Sequence, residues 1–252
     1  MTIHLYYGDA HALPNKNNDR ATWLAKLILD VKPDVVINGG DNADMLSLCS
    51  YDKGLASAVG RSYQEDIEAH LDFEDKLWGK VKKSKRKMAR RVFLVGNHEQ
   101  RIERALNANA TLSGTIGYGD LKLKDNYDDI VYYSGTTPGS ICIDGITYSH
   151  FFVTGVSGRP NTSSSPGSST LQKTFRSVTQ GHAHVLDYCT KPTIGGGRIH
   201  SLVGGAFMSE PLVWAGQAND IWWRGCFIKR NVEDGNYDLE MVSMDRLKKT
   251  YE

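Results

Sequence analysis

The first 106 residues alternate three times between a short apolar run and a longer segment with helical periodicity. The apolar runs have the length of buried strands, and they span residues 3–7, 35–37 and 91–95. The segments that follow them carry apolar residues at helical spacing over about 20–30, over about 63–81 and up to about residue 106, and Asp19 is placed to cap the first. Such alternation predicts a parallel sheet with right-handed crossovers. We therefore expect an α/β fold.

The second half of the chain has short strand-like runs that are not separated by long helices. These runs lie near residues 130–133, 141–143, 146–148, 199–203, 222–228 and 237–242. They predict a more antiparallel arrangement. Residues 154–170 are rich in Gly, Ser and Pro and predict a mobile loop, followed by a helix over about 171–177. Because residues on both sides of this loop belong to one chemical set, we expect a single domain over 1–252.

The net charge is close to zero, since 30 Lys and Arg residues stand against 29 Asp and Glu residues, giving +1. This balance argues against a protein that binds nucleic acid mainly through its overall charge. No apolar run approaches the ~20 residues of a membrane-spanning helix, and residues 1–9 lack the features of a signal peptide. The four cysteines have no CxxC spacing. We therefore expect a cytoplasmic protein with reduced core thiols, no membrane contact and no obligate protein partner.

Residues able to bind a metal follow the predicted strands throughout the chain. They are Asp9, His11, Asp41, Asn97, His98, His150, His182 and His184. The set includes five of the eight histidines, and the strand ends of a parallel sheet converge at one edge. Two residues with one position between them on an extended segment point to the same side, as at Asp9 and His11. The sequence therefore predicts a metal site at this edge.

The residue types in this set favour a pair of transition-metal ions. Two divalent ions about 3.5–4 Å apart need a carboxylate that bridges them, imidazoles that complete their coordination and open positions for water and substrate. An oxygen-only magnesium site contains more carboxylates and fewer imidazoles. Glycines precede the candidate ligands at Gly8, Gly39, Gly40, Gly96 and Gly181, where we expect the chain to turn sharply and to let the backbone approach the metal or phosphate.

Five short motifs contain these residues: Gly8-Asp9-Ala10-His11, Gly40-Asp41, Gly96-Asn97-His98-Glu99, His150 and Gly181-His182-Ala183-His184. In order and spacing they resemble the motifs of the calcineurin-like metallophosphoesterase superfamily. The resemblance implies a four-layer α/β/β/α sandwich with a dinuclear metal centre at the strand ends. It implies one ion held by Asp9, His11, Asp41 and His184, and a second held by Asp41, Asn97, His150 and His182. His98 matches the family's catalytic histidine, which stabilises the phosphoryl group or protonates the leaving oxygen.

The resemblance implies a metal-dependent phosphoester hydrolase that uses a metal-bound hydroxide. Segments 48–54, 100–102 and 222–225 are similar to those of phage- and prophage-encoded members, which suggests action in an infected bacterial cytoplasm. The short chain after His184 favours a phosphodiesterase for a nucleotide or single-stranded nucleic acid over an enzyme for long duplex DNA. A phosphomonoesterase for nucleotides or phosphoproteins is the alternative. A catalytically silent binding protein of the same fold is disfavoured, because no motif residue is lost.

The expected cofactors are two divalent transition-metal ions per chain, with Mn²⁺ first and Fe, Zn, Ni or Co as alternatives. The expected partner is a phosphoester substrate, such as a nucleotide or nucleic acid. Asn97, Arg101 and Arg159 are the predicted substrate contacts. For each arginine, a solvated surface position is the competing interpretation.

Other residues near the motifs are assigned structural roles. Glu99 is expected to orient backbone or a ligand, and Asp44 is expected to cap a turn rather than to support a histidine. The basic run at 82–91 carries seven positive charges, for which solvation beside a helix end is favoured over nucleic-acid contact. Three tryptophans could stack a base but are expected in the core: Trp214, Trp222 and Trp223.

Overall fold

The computed structural model describes residues 1–84, 87–161, 163 and 165–252, and it shows a mixed α/β fold with two sheets and helices. Strands β1 to β11 are, in chain order, Thr2–Tyr7, Val35–Asn38, Arg90–Leu94, Asp129–Val131, Ser140–Ile143, Ile146–Ser149, Ser177–Gln180, Leu186–Pro192, Arg198–Gly204, Gly225–Glu233 and Asn236–Ser243. Helices α1 to α7 are Asp19–Val31, Tyr63–Lys83, Gln100–Ala108, Leu123–Asn126, Pro166–Thr174, Ala218–Ile221 and Met244–Tyr251. The strands and helices predicted in the first half correspond to β1 to β3 and α1 to α3.

The first sheet contains six strands in the order β11-β10-β1-β2-β3-β4. Strands β1 to β4 are parallel neighbours, which confirms the parallel sheet predicted from the first half of the chain. The last two strands return to the other side of β1 and pair antiparallel there. The antiparallel arrangement predicted for the second half is therefore correct for β10 and β11, which extend the first sheet.

The second sheet contains five strands in the order β5-β6-β7-β9-β8 and is mixed. Two pairs are antiparallel, β5 with β6 and β8 with β9, whereas β6, β7 and β9 are parallel neighbours. No residue range was predicted for β7, although His182 and His184 were expected to follow a strand, and β8 was not predicted. Helix α5 begins at Pro166, within the predicted loop at 154–170, and ends at Thr174, so it covers the first part of the predicted helix at 171–177. Residues 162 and 164 of that loop lie outside the described residues. Strand β7 reads Ser-Val-Thr-Gln, with all four residues buried. Its polar sequence carries no hydrophobic signal for a strand.

The start of α1 differs from the prediction. Asp19 is the first residue of the helix, so Asn18 occupies the capping position, and its side chain accepts no capping hydrogen bond. Instead, Asn18 Nδ2 donates to Ala69 O at 3.1 Å and to Asp72 Oδ2 at 2.9 Å. The side chain ties α1 to α2, a contact between distant segments that local capping rules do not reveal.

The apolar core is divided by the first sheet. Leu5 and Tyr7 of β1 pack on the side covered by α1, α2 and α7, while Tyr6 points between the two sheets. There it packs with Tyr148 and Leu202 of the second sheet. Helix α5 contacts β8 and β9. Each fully buried side chain of this size contributes about 1.5–3 kcal/mol to stability.

A buried lysine lies within the core between the sheets. Lys229 Nζ is 3.3 Å from Tyr148 Oη, also contacts Thr179 Oγ1, and lies 4.5 and 4.7 Å from the ring centres of Tyr148 and Tyr237. His4 Nδ1 is 2.7 Å from the same tyrosine hydroxyl. Burial away from water holds the pKa of Lys229 well below its usual range. We call these five residues the inter-sheet polar cluster.

Two sequence expectations concern membrane contact and cysteines. Across the described part of the chain, no helix has both the length and the apolar character needed to cross a bilayer. All four cysteines are free thiols. Only Cys226 is buried, so the expectation of core thiols is wrong for the other three, which lie on partly or fully exposed positions.

Candidate metal centre

The candidate metal-binding residues lie on loops that follow five strands. Because β1, β2 and β3 are parallel neighbours, their carboxyl ends meet at one edge of the first sheet. Strands β6 and β7 of the second sheet end at the same place. Hydrogen bonds join the loops, since Asp9 N donates to Gly40 O at 2.8 Å and Gly181 N donates to His150 O at 3.0 Å. The structure thereby brings together all seven predicted ligands and His98.

The first group consists of Asp9, His11 and His184, all of them buried. His184 Nε2 lies 3.1 Å from His11 Nε2 and 3.3 Å from Asp9 Oδ1. His11 Nδ1 lies 2.8 Å from Asp44 Oδ1, so a proton on Nδ1 is donated to that carboxylate. The Nε2 atom of neutral His11 then presents a lone pair toward His184.

The second group consists of Asp41, His150 and His182. His150 Nε2 lies 3.3 Å from Asp41 Oδ2 and 2.9 Å from Asn97 Oδ1. His182 Nδ1 lies 2.7 Å from the same Asn97 oxygen. Since His150 Nδ1 is 2.8 Å from Gly39 O, it donates its proton to the backbone, and Nε2 is directed toward two oxygens.

In both groups, carboxylate oxygens and imidazole nitrogens face one another at short distances. Burial opposes charge on His150, but the negative charge of Asp41 raises the pKa of His150 to about 9. In the first group, burial lowers the pKa of His11, although its hydrogen bond to Asp44 acts in the opposite direction. Buried carboxylate oxygens and imidazole nitrogens that face one another suit a divalent metal ion. These residues could therefore hold a metal ion.

Asp41 lies between the two groups. A third set of close atoms joins it to His11 and His98. Its Oδ1 accepts a hydrogen bond from His98 N at 2.8 Å, and its Oδ2 lies 3.8 Å from His98 Nε2. Burial opposes its ionisation, but the surrounding imidazoles hold the pKa of this carboxyl well below its usual range. Asp41 is thus the carboxylate common to neighbouring groups.

Asp44 supports two imidazoles and does not serve as a turn cap. Its Oδ1 lies 2.8 Å from Nδ1 of His11 and 2.8 Å from Nδ1 of His98. Burial opposes its ionisation, yet the hydrogen bonds from both rings hold the pKa of Asp44 far below its usual range. The expectation of a cap is therefore wrong. Residues from the loops after β1 and β3 meet at Asp44, a contact that spacing along the chain does not reveal.

Glu99 orients the backbone, as the sequence predicts. Its carboxylate accepts hydrogen bonds from the backbone N–H groups of Asp41 at 3.0 Å, Ala43 at 2.9 Å and Gly96 at 2.9 Å. Burial and the nearby charge of Asp41 raise the pKa of Glu99 to about 7. The side chain thus holds together the two loops that carry Asp41 and Asn97.

The backbone of the candidate ligands is strained. Five of them adopt the left-handed conformation: Asp9 (φ 53°), His11 (φ 44°), Asp41 (φ 50°), His182 (φ 67°) and His184 (φ 58°). This conformation costs a non-glycine residue about 1–2 kcal/mol. The sharp turns were predicted at the preceding glycines, but of these only Gly40 has a positive φ.

The preceding glycines are required for space. A Cβ atom on Gly181 would lie 2.1 Å from Asp9 Oδ2, and one on Gly96 would lie 2.1 Å from Asp41 Oδ1. Any side chain at either position would displace a carboxylate of the centre. The glycines therefore allow a close approach, as predicted, but at Gly96 and Gly181 the groups that approach are carboxylates of loops from other strands.

Arg101 lies beside His98 and is held by backbone. Its Nη1 donates to Asp44 O at 2.8 Å and to Met45 O at 3.2 Å, and its Nη2 lies 3.2 Å from His98 Nε2. Burial opposes charge on His98, but Asp41 and Asp44 raise the pKa of this imidazole. Arg101 is therefore fixed next to the centre, and it is not a solvated helix residue.

A groove of about 620 Å³ borders the centre and includes Asn97 and His182 in its wall. Arg101 and Arg159, the predicted substrate contacts, also line it. Arg104 lines it as well and was missed by the sequence analysis. Its spacing of three residues from Arg101 on α3 places both on one helix face, which is the signal that could have found it.

The basic run and the tryptophans lie in different surroundings. Residues 85 and 86 of the run 82–91 lie outside the described residues, and the run extends from the end of α2 to the first two residues of β3, at the opposite end of that strand from Asn97. Trp223 packs 4.7 Å from Phe227 in the core, as expected. Trp214 is exposed, which contradicts a core position, and the half-buried Trp222 lies 4.3 Å from the ring of His184.

The remaining histidines lie away from the centre. His4 belongs to the inter-sheet polar cluster, His70 is 3.1 Å from Leu121 O, and His200 is 2.6 Å from Tyr188 Oη. They have no part in the candidate metal groups of the described residues.

No model of a known protein family matches the chain, and no curated protein matches it.

Proposed function

We propose that this protein is a metal-dependent phosphoester hydrolase of the calcineurin-like metallophosphoesterase superfamily. The observation that carries the proposal is the convergence of the first group, the second group and the set of His11, Asp41 and His98 that lies between them. The packed sheets, with helices against the outer face of the first and α5 against the second, support the proposed four-layer α/β/β/α arrangement.

The two groups are proposed to hold two divalent ions. The proposed first set is Asp9, His11, Asp41 and His184, and the second is Asp41, Asn97, His150 and His182. Mixed oxygen and nitrogen donors favour Mn²⁺, with Fe, Zn, Ni or Co as alternatives. Bound divalent ions supply positive charge to a phosphoryl group and make water more acidic.

His98 is proposed to act directly on the substrate. Asp44 accepts the proton of its Nδ1, which fixes the ring and leaves Nε2 free of backbone contacts, between Asp41 and Arg101. From this position, Nε2 can stabilise a phosphoryl oxygen or hold the proton that the leaving oxygen needs. Arg101 keeps a positive charge beside that nitrogen.

A phosphodiester of a nucleotide or of single-stranded nucleic acid is the proposed substrate. The groove beside Asn97 and His182 is open and carries three arginines, which suits an anionic chain that continues past the ester to be cut. The proposed site of action is the cytoplasm of an infected bacterium, as for the phage-encoded members that the chain resembles. A phosphomonoesterase is the alternative that the assay below separates.

A grid of metals and substrates tests this proposal. The chain is stripped with a chelator, reloaded with Mn²⁺, Fe²⁺, Zn²⁺, Ni²⁺, Co²⁺ or Mg²⁺, and assayed on five classes of substrate. These are bis-nitrophenyl phosphate, mono-nitrophenyl phosphate, nucleotides, cyclic nucleotides and single-stranded DNA. We expect the highest activity with Mn²⁺ and on diesters. Full activity with Mg²⁺ alone would contradict the transition-metal site, and no hydrolysis under any condition would overturn the function.

A further inference from the structure

The groove beside the candidate metal centre carries two arginines in addition to Arg101. Arg104 and Arg159 line it and are exposed, unlike the more buried Arg101. Glu103 is the only carboxylate among the described residues of its wall, and it accepts a hydrogen bond from Gln100 Nε2 at 3.0 Å. The ion pairs of the described residues include neither Arg104 nor Arg159. Arg104 Nη2 donates to Asn97 O at 3.0 Å, which leaves the other N–H groups of Arg104 and the guanidinium of Arg159 to face an anion.

The same groove offers aromatic and hydroxyl groups. Tyr51 lines it with 85% of its surface exposed. Exposed aromatic rings next to arginines are typical of surfaces on which bases of single-stranded nucleic acids stack. Tyr133 also lines the groove, and its buried Oη has no hydrogen-bond partner among the described residues. A ligand with a phosphate, a flat ring and further polar atoms matches this set.

We infer that this groove binds the nucleotide adjacent to the cut ester in a single-stranded nucleic acid. Arg104 and Arg159 bind the phosphate of that nucleotide, and Tyr51 stacks on its base. The groove is continuous with the candidate centre, because Asn97 and His182 belong to both. This inference rests on the proposed hydrolase function, which places the ester to be cut at those two residues.

Direct binding to the full chain tests the site. Fluorescence anisotropy with Mn²⁺, and again with chelator, measures the Kd of a labelled short thymidine oligonucleotide and of an abasic strand of equal length. We expect the double variant Arg104→Ala/Arg159→Ala to raise both Kd values about tenfold or more. Tyr51→Ala should raise the Kd of the thymidine strand about fivefold or more and leave that of the abasic strand nearly unchanged.

Arg198→Ala is the matched control, because Arg198 is an exposed arginine on β9 outside the groove. It should leave both Kd values nearly unchanged. Equal losses in this control and in the double variant would overturn the site, and so would the absence of binding by the wild type. Insensitivity of the thymidine strand to Tyr51→Ala would overturn base stacking. Binding as expected without hydrolysis of any phosphoester would contradict the proposed function alone.

Discussion

Two buried polar regions of this protein differ in the sign of their unbalanced charge. At the strand ends, the two His/Asp groups place carboxylate oxygens and imidazole nitrogens against one another. In the inter-sheet polar cluster, Lys229 faces hydroxyl groups and aromatic rings, and the ion pairs of the described residues do not include it. The first region lacks a cation, whereas the second contains a lysine without a carboxylate partner among the described residues.

The two regions can balance this charge in different ways. The strand ends border an open groove, so a cation can enter from solution. The inter-sheet polar cluster is enclosed by two sheets, where Lys229 reduces its unfavourable charge by losing a proton, as its lowered pKa indicates. A buried charge imbalance therefore indicates a binding site only where an ion can enter from solvent.

The largest expected effect comes from Asp41→Asn, because this change removes the negative charge that neighbouring groups share. We expect hydrolysis to fall to the level of the metal-free chain, and plasma mass spectrometry should find fewer bound ions than in the wild type. Asp44→Asn is the matched control, since the same carboxylate-to-amide change falls on a residue that contacts imidazole Nδ1 atoms. We expect Asp44→Asn to lower the rate of hydrolysis by about 10–100-fold. If Asp41→Asn bound metal with wild-type affinity, Asp41 would not be a ligand of a cation site at the strand ends.

His98→Ala is expected to lower kcat by about 10²–10⁴-fold, the range for loss of a positioned acid or base, while bound metal is retained. Metal analysis and steady-state kinetics on two diesters check this. Nitrophenolate leaves without much help, whereas a nucleoside alkoxide needs a proton, so a general acid predicts the larger penalty on the nucleotide diester. Equal penalties indicate electrostatic stabilisation instead. Loss of metal from the variant would make His98 a ligand.

Added Mn²⁺ should stabilise the folded chain, because an ion that binds only the native state shifts unfolding. At a free concentration of one hundred times Kd, we expect a gain of about 2.7 kcal/mol in the free energy of unfolding, measured by urea denaturation with and without chelator. Lys229→Met should show the same gain, since the two regions are separate. A chain whose stability ignores transition metals at every concentration would contradict a cation site at the strand ends.

Lys229→Met is expected to stabilise the protein by about 1–2 kcal/mol near neutral pH, since an apolar side chain replaces a buried cationic group. The gain is limited because Thr179 loses a hydrogen-bond partner. Urea denaturation measures the difference, and Lys191→Met, on an exposed position of β8, is the control without an expected gain. Destabilisation by Lys229→Met would show that its polar contacts outweigh its burial.

The pH dependence of this difference sharpens the assignment. The folded pKa of Lys229 is lowered, whereas in the unfolded chain a lysine keeps its proton up to about pH 10.4. Between the two values the unfolded chain binds the extra proton, so the free energy of unfolding of the wild type rises with pH. The advantage of Lys229→Met should therefore shrink between about pH 8 and pH 10. A constant difference over that interval would contradict the lowered pKa.

The sequence predicted the parts of the fold that carry regular apolar periodicity. The parallel core of β1, β2 and β3, with α1 and α2 beside it, follows from such patterns. Strand β7 does not, because its buried Ser, Thr and Gln residues are polar and owe their burial to the parallel neighbours β6 and β9. The pairing of β10 with β1 also depends on the whole fold and not on local sequence.

The ligands of the candidate site could be predicted from their residue types and from their positions after strands. The seven predicted ligands lie together because each follows a strand, and the strand ends meet. The contacts of Asp44 with His11 and His98 were not predictable, since they join separate loops. The position of Arg104 in the groove could have been predicted, because it lies three residues from Arg101 on α3. Four-layer packing, metal identity and phosphoester hydrolysis stay predictions.

The left-handed backbone of the candidate ligands bears on the order in which the chain folds. Turns through non-glycine residues with positive φ, such as Asp9 and Asp41, are locally unfavourable and do not form in isolated segments. They become favourable only when the strands have paired and hydrogen bonds such as Asp9 N to Gly40 O hold the loops. We therefore expect the strand-end loops to form late in folding, so that substitutions in them should speed unfolding more than they slow folding.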